Sequence, residues 1–146
     1  MKLNIKIKEG FEDLELPRHM TPGAAAVDLR AAIEQTRTLN QGEPVLIPTG
    51  IYVAVPKGYM MHITPRSGLA LKHGISIVNS PGIVDSDYRG EIGIIMINHS
   101  DMAFPIRRGD RIAQATLVKV EQIEFEKVNE LDETERGAGG FGHTGK

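Results

Sequence analysis

Glycine and proline cut this chain into short apolar runs rich in β-branched residues, and no run carries a sustained helical period. Near the start, Leu3, Ile5 and Ile7 alternate with Asn4 and Lys6. A turn-rich stretch, 40–44, leads to a run from Val45 to Ile47. The run from Ile51 to Val55 is closed by Pro56, Lys57 and Gly58. Tyr59, Met61 and Ile63 alternate with Met60, His62 and Thr64. Further runs cover 75–78, 92–97, 112–120 and 123–128. Ile92 to Ile97 is apolar on both parities, the pattern of a central strand or one buried on both faces. Only 67–72 suits a helix, of a turn or two, with Ser67 placed to cap it. The pattern predicts an all-β fold with one short helix. The lack of crossover helices argues against a doubly wound nucleotide-binding sheet. A barrel or jelly roll hides the sheet edges.

At 146 residues the chain has room for one domain and one core. Net charge is −2, from 17 basic and 19 acidic residues, so no basic surface calls for nucleic acid or an anionic membrane. A small phosphate site needs only a few arginines and stays open. The absence of cysteine removes disulfides, thiolate catalysis and cysteine-held metals. There is no signal-peptide core and no membrane-length apolar run, so the expected location is the cytoplasm. We divide the chain into a β domain, 1–130, and a flexible glycine-rich C-terminal lid, 131–146. That tail holds one aromatic, Phe141, among its glycines. A glycine-rich strip can wrap phosphates with its N–H groups, and a lone aromatic can stack on a base. The string from Gly140 to Lys146 fits the start of a phosphate-binding loop. It lacks the strand before it and the hydroxyl residue and helix after it.

Four other stretches can carry chemistry. Asp28 lies in a small, apolar run, 24–31. It reads as a turn residue or a partner for Arg30, or as a carboxylate that positions metal-bound water or a ribose hydroxyl. Arg66 and Ser67 stand at the start of the short helix, where a guanidinium fork and free N–H groups favour an anion. The segment 79–91 packs Asp85, Asp87, Tyr88 and Arg89 between strand signals, and reads as a hairpin with a polar tip. A carboxylate there can act as general base, and a tyrosine ring can floor a sugar pocket. Gln114 sits inside an apolar strand, where a buried amide needs partners and backbone can supply them. The histidines at 62, 73 and 99 read as structural or surface groups.

In order, AAAVDLRA (24–31), PRSGLA (65–70), GIVDSDYRGEIG (82–93), GDRIAQ (109–114) and RGAGGFGHTG (136–145) resemble the five motifs of the trimeric dUTPase family. The resemblance implies a distorted β jelly roll of β-clip type, and a homotrimer whose three active sites lie at subunit boundaries. It implies hydrolysis of dUTP to dUMP and pyrophosphate by attack of water on the α-phosphorus, with Mg²⁺ as cofactor. Asp85 matches the general base. Tyr88 matches the ring that packs on deoxyribose and excludes a 2′-hydroxyl. Asn79 and Gly82 match positions at the uracil edge. Arg66, Ser67, Gly68 and Gln114 match phosphate contacts, and Asp28 matches the carboxylate that organises the water around magnesium. In the tail, Phe141 matches the ring stacked on uracil. Arg136, Gly142 and His143 belong to the triphosphate clamp. The family commonly has serine where this chain has His143; an imidazole can still donate to a phosphate.

Two rival functions share the same expected fold. A dCTP deaminase needs a glutamate as proton shuttle near the base, and Glu91 adjoins the third motif. A catalytically silent nucleotide-binding protein needs none of the catalytic groups, yet Asp85, Arg66 and the tail are all present.

Overall fold

The computed structural model describes residues 1–140. Eleven strands and one short helix follow in the order β1 (Asn4–Ile7), β2 (Val27–Arg30), β3 (Arg37–Leu39), β4 (Val45–Pro48), β5 (Ile51–Ala54), β6 (Tyr59–Thr64), α1 (Ser67–His73), β7 (Ile75–Ile77), β8 (Gly82–Val84), β9 (Gly93–Asn98), β10 (Phe104–Ile106) and β11 (Arg111–Lys119). All named pairings are antiparallel. The all-β expectation with one short helix holds. No described helix is long and apolar enough to cross a membrane.

The strands form a four-stranded sheet, β2-β11-β6-β8, a three-stranded sheet, β4-β9-β7, and two pairs, β1-β5 and β10-β3. Their inner faces share one core that includes Leu29, Leu39, Ile47, Ile63, Ile94, Met96 and Ile112. In β6 the alternation works as read, with Met61 and Ile63 buried and their neighbours partly exposed. Period-two sidedness puts those residues on the core face.

Several expectations need correction. β9 is central, between β4 and β7, as the first of its two readings had it, and the second does not hold: it buries only one parity, and Ile95 stays 36% exposed on the other face. Leu46, opposite Ile95 in the register, is 65% exposed. Ser67 does not cap the helix: Arg66 is at the cap position and no side chain bonds there. Ser67 is already the first helical residue, so its hydroxyl lies one step too far along. Residues 123–128 form no strand, and Ile123 and Phe125 are 74% and 90% exposed. Their alternation is that of a strand, but among the described residues no edge of the same chain receives it. β2, β3 and β10 were not anticipated, since three- or four-residue strands with polar members give little periodic signal.

Candidate active site

An interior strand of the larger sheet, β11, organises one half of the site. Gln114 pairs in register with Asp28 on β2 and with Thr64 on β6. Residues directly opposite in an antiparallel ladder share a face, so Asp28, Gln114 and Thr64 form a row. The other face of that row is core, with Leu29, Ile63, Ala113 and Ala115 buried. Between Arg111 and Ala113 the register slips, and Ile112 and Ala113 are buried in succession. Such a bulge re-aims the residue before it. It turns Arg111 to the Asp28 face, where Nη1 donates to Asp28 Oδ2 at 3.0 Å.

Asp28 Oδ1 accepts from Arg66 Nε at 2.8 Å, so one carboxylate holds two guanidinium groups. Arg30, the partner expected from sequence, instead donates to Glu15 and to the Gly109 carbonyl. Arg30 and Asp28 are two residues apart on one strand and share a face, but Glu15 lies closer to the guanidinium. Arg66 also donates through Nη1 to the Arg111 carbonyl at 3.2 Å. Gln114 Nε2 donates to the Pro65 carbonyl at 3.0 Å, the backbone partner its partial burial requires. Ser67 and Gly68 are exposed beside this cluster. A Cβ at Gly68 would meet nothing within 4 Å, so no packing inside the chain demands glycine there.

The other half of the site follows β8. Gly82 pairs with Ile63, and Val84 with Met61, which carries the chain away from Arg66. A cleft of about 160 Å³ is lined by Ile63, Asn79, Gly82, Asp85, Tyr88 and Glu91, among others. Its walls come from the segment read as a hairpin, but β8 pairs with β6, while β7 and β9 pair with each other. The segment is therefore a connection between two sheets, and its polar residues line a corner rather than a hairpin tip. Tyr88 N donates to the Asp85 carbonyl at 3.3 Å, a turn that ties the tyrosine to the aspartate. Arg89 Nη1 donates to the Ser86 and Tyr88 carbonyls and braces the same turn. Asp85 is exposed at the cleft.

Glu91 was weighed only as a proton shuttle, and its role here is different. Its Oε1 accepts from Gly50 N at 2.9 Å and its Oε2 from Lys8 Nζ at 3.1 Å. Both oxygens are engaged in holding the chain together, on Gly50 of one strand connection and Lys8 near the start. The hydrogen bond from Lys8, and then the charge of Glu91, raise the lysine pKa above its ordinary value. Gly50 has φ +67, a left-handed conformation suited to glycine, and a Cβ there would lie 2.8 Å from Ala32 Cβ. The sequence offered no sign of this anchor, because Lys8, Gly50 and Glu91 are remote along the chain.

The structure thus gathers Asp28, Arg66, Gln114 and the exposed Ser67 and Gly68 in one group. It gathers Asn79, Gly82, Asp85 and Tyr88 in another. The cleft around Asp85 is not lined by Arg66, and a separate depression of about 360 Å³ is lined by Arg66, Asp110 and Arg111. Arg136 is exposed, and its Nε donates to the Gly139 carbonyl within the tail at 2.8 Å. Phe141, Gly142 and His143 lie outside the described residues.

The dUTPase family model matches residues 12–145. A deoxyuridine 5′-triphosphate nucleotidohydrolase of Fusobacterium nucleatum is 55% identical over 135 residues, 92% of each chain. One from Chlamydia pneumoniae is 57% identical over 132 residues, which cover 90% of this chain and 91% of the relative. Among solved structures, Staphylococcus bacteriophage 80alpha dUTPase with dUPNHPP superposes with a TM-score of 0.88 at 26% identity, over 99% of both chains. A dUTPase from phage phi11 of S. aureus, described for its coordination of a structural Mg(II) ion, superposes with a TM-score of 0.78 at 25% identity, over 89% of this chain and 98% of that one. The likeness over nearly the full length bears out the expected jelly-roll fold. In family and in fold, this chain belongs to the dUTPases.

Proposed function

We propose that the chain hydrolyses dUTP to dUMP and pyrophosphate, with Asp85 as the base that activates water. The observation that carries this reading is the cleft that joins Asp85 to Tyr88, Asn79 and Gly82 on one sheet corner. Asp85 is exposed there, open to a water molecule. The carboxylate takes a proton from that water. The water oxygen forms a bond to the α-phosphorus, the bond to the bridging oxygen breaks in line, and the pyrophosphate carries away the electron pair. Tyr88 packs on the deoxyribose, and Asn79 and the backbone near Gly82 face the uracil edge.

Arg66, Ser67, Gly68 and Gln114 take the phosphates. Arg66 and Arg111 are already fixed on Asp28, so little reorganisation precedes phosphate binding. Among the described residues no three His, Asp or Glu side chains are grouped to hold a metal. Such a donor set fits Mg²⁺ that is held mainly by phosphate oxygens and water, with Asp28 reaching it through water. The ion supplies charge neutralisation on the triphosphate when bound.

The separation of Arg66 from the Asp85 cleft favours a site completed between subunits. The exposed Leu46 and Ile95, side by side on one sheet, and the exposed Ile123 and Phe125 supply apolar surface for association. A homotrimer with shared sites accounts for both. The tail, with Arg136, Phe141, Gly142 and His143, closes over the nucleotide as a lid.

The test is product analysis with Mg²⁺ and dUTP, dCTP, dTTP or UTP offered singly. Pyrophosphate and dUMP from dUTP alone support the reading. Ammonia from dCTP would point to a deaminase, and silence on all four to a binding protein.

A further inference from the structure

Tyr88 is held in a seat made by the two residues that follow Arg89. Its hydroxyl donates to the Glu91 carbonyl at 3.0 Å. Its ring tip lies over Gly90: a Cβ built there would be 2.3 Å from the hydroxyl oxygen, 2.5 Å from Cζ and 3.0 Å from Cε2. No other residue type leaves room for the ring in this position. Gly90 is not among the glycines with positive φ, so space rather than backbone conformation requires it. The seat is fastened from behind, because Glu91 is tied to Gly50 and Lys8 through its carboxylate. Ile92 N also donates to the Ile51 carbonyl at 2.9 Å. The tyrosine is 45% exposed and lines the cleft, so its ring has an open side.

We propose that Gly90 and Glu91 are positioning residues that set sugar selectivity by fixing the height of the Tyr88 ring above the cleft floor. The proposal rests on the reading of Tyr88 as the surface that meets the sugar. A ring seated on a peptide carbonyl and a missing Cβ moves when either is altered. It then leaves space for a 2′-hydroxyl and grips the deoxyribose less well.

The test compares kcat/KM for dUTP and UTP in the full-length enzyme, its Gly90→Ala and Tyr88→Ala variants, and the double variant. In Gly90→Ala the obstructing atoms belong to the free end of an exposed side chain, so the ring swings away and the fold survives. A melting temperature close to that of the parent checks this. The dUTP-to-UTP ratio of kcat/KM is expected to fall at least about tenfold, mainly through KM for dUTP, as expected when an interaction common to ground and transition states is lost. In the Tyr88→Ala background the same substitution is expected to change the ratio no further, since both act through one ring. An unchanged ratio in Gly90→Ala, or an equal further loss in the double variant, would overturn the proposal. An unchanged ratio in Tyr88→Ala would overturn it together with the sugar role of Tyr88. Tyr88→Phe tests the hydroxyl separately. A fall in the ratio smaller than that of Gly90→Ala is expected, because the ring keeps its room; a larger fall would overturn the role given to Gly90.

Discussion

Asp28 and Arg66, 38 residues apart in sequence, are joined by a 2.8 Å bond from the arginine Nε to the carboxylate. Asp28 also holds Arg111, so its loss frees two guanidinium groups at once. Asp28→Asn is expected to lower stability by about 1–2 kcal/mol, the scale of charge-assisted bonds at a partly exposed site. It is also expected to raise KM for dUTP. Urea unfolding of Asp28→Asn, Arg66→Ala and the double variant measures the coupling, and additive losses would show that the pair is energetically idle.

Asp85→Asn is expected to reduce kcat by about a hundred- to ten-thousandfold, the range for loss of a general base. KM should change little, because Asp85 is exposed and bears no phosphate contact in the proposed arrangement. Pyrophosphate release and dUTP binding, measured on the same preparation, separate the two effects. Full activity in this variant would remove Asp85 from the chemistry.

Acid stability should depend on Glu15. The hydrogen bonds from Arg18 and then Arg30 hold its carboxyl below the ordinary value of 4.5. A lowered folded-state pKa gives stability that is present above the unfolded value and lost as pH falls through the folded one. Stability is therefore expected to decline on acidification below pH 4.5, and Glu15→Gln to make that decline shallower. Urea midpoints from pH 3 to pH 6 provide the check. Asp13, held down by its bond from Arg108, contributes in the same direction.

Asn98 is fully buried and serves four bonds. Its Nδ2 donates to the Leu39 and Met102 carbonyls, and its Oδ1 accepts from the amide and hydroxyl of Ser100. Asn98→Ala strands several of these groups and is expected to cost about 2–4 kcal/mol. Thermal unfolding should show a clear drop, and a shift within error would mean that water replaces the amide.

Removal of residues 137–146 should leave the melting temperature close to that of the full chain. Among the described residues, the bonds of 122–140 are local ones among Thr134, Arg136, Gly137 and Gly139. Turnover of dUTP should fall at least about tenfold if the tail is the lid, and unchanged turnover would exclude that role.

The strands that alternate strictly were legible: Met61 and Ile63 in β6 face the core as their spacing requires. Ile123 and Phe125 alternate equally well and lie exposed, because alternation reports a face to be covered and not what covers it. The motif residues were legible as chemistry, yet their grouping was not. Asp28 meets Arg66 and Arg111 rather than Arg30 only because the β2-β11-β6 register and the bulge at Ile112 bring them together. Gly90 was visible as part of a motif, but its reason, a tyrosine ring lying where its Cβ would be, exists only in three dimensions.

The row formed by Asp28, Gln114 and Thr64 has a consequence for how this chain can vary in length. Three stretches remote in sequence meet there through strand register alone. The exposed stretch 34–36 can be lengthened at the small entropic cost of a larger surface loop, with no change in the row. One residue added inside β11, between Gln114 and Lys119, would turn its outer face inward and offset Gln114 against β6 or β2. Length is thus free at the rim and forbidden at the centre, so an insertion scan should trace the outline of β11 as a gap in tolerated sites.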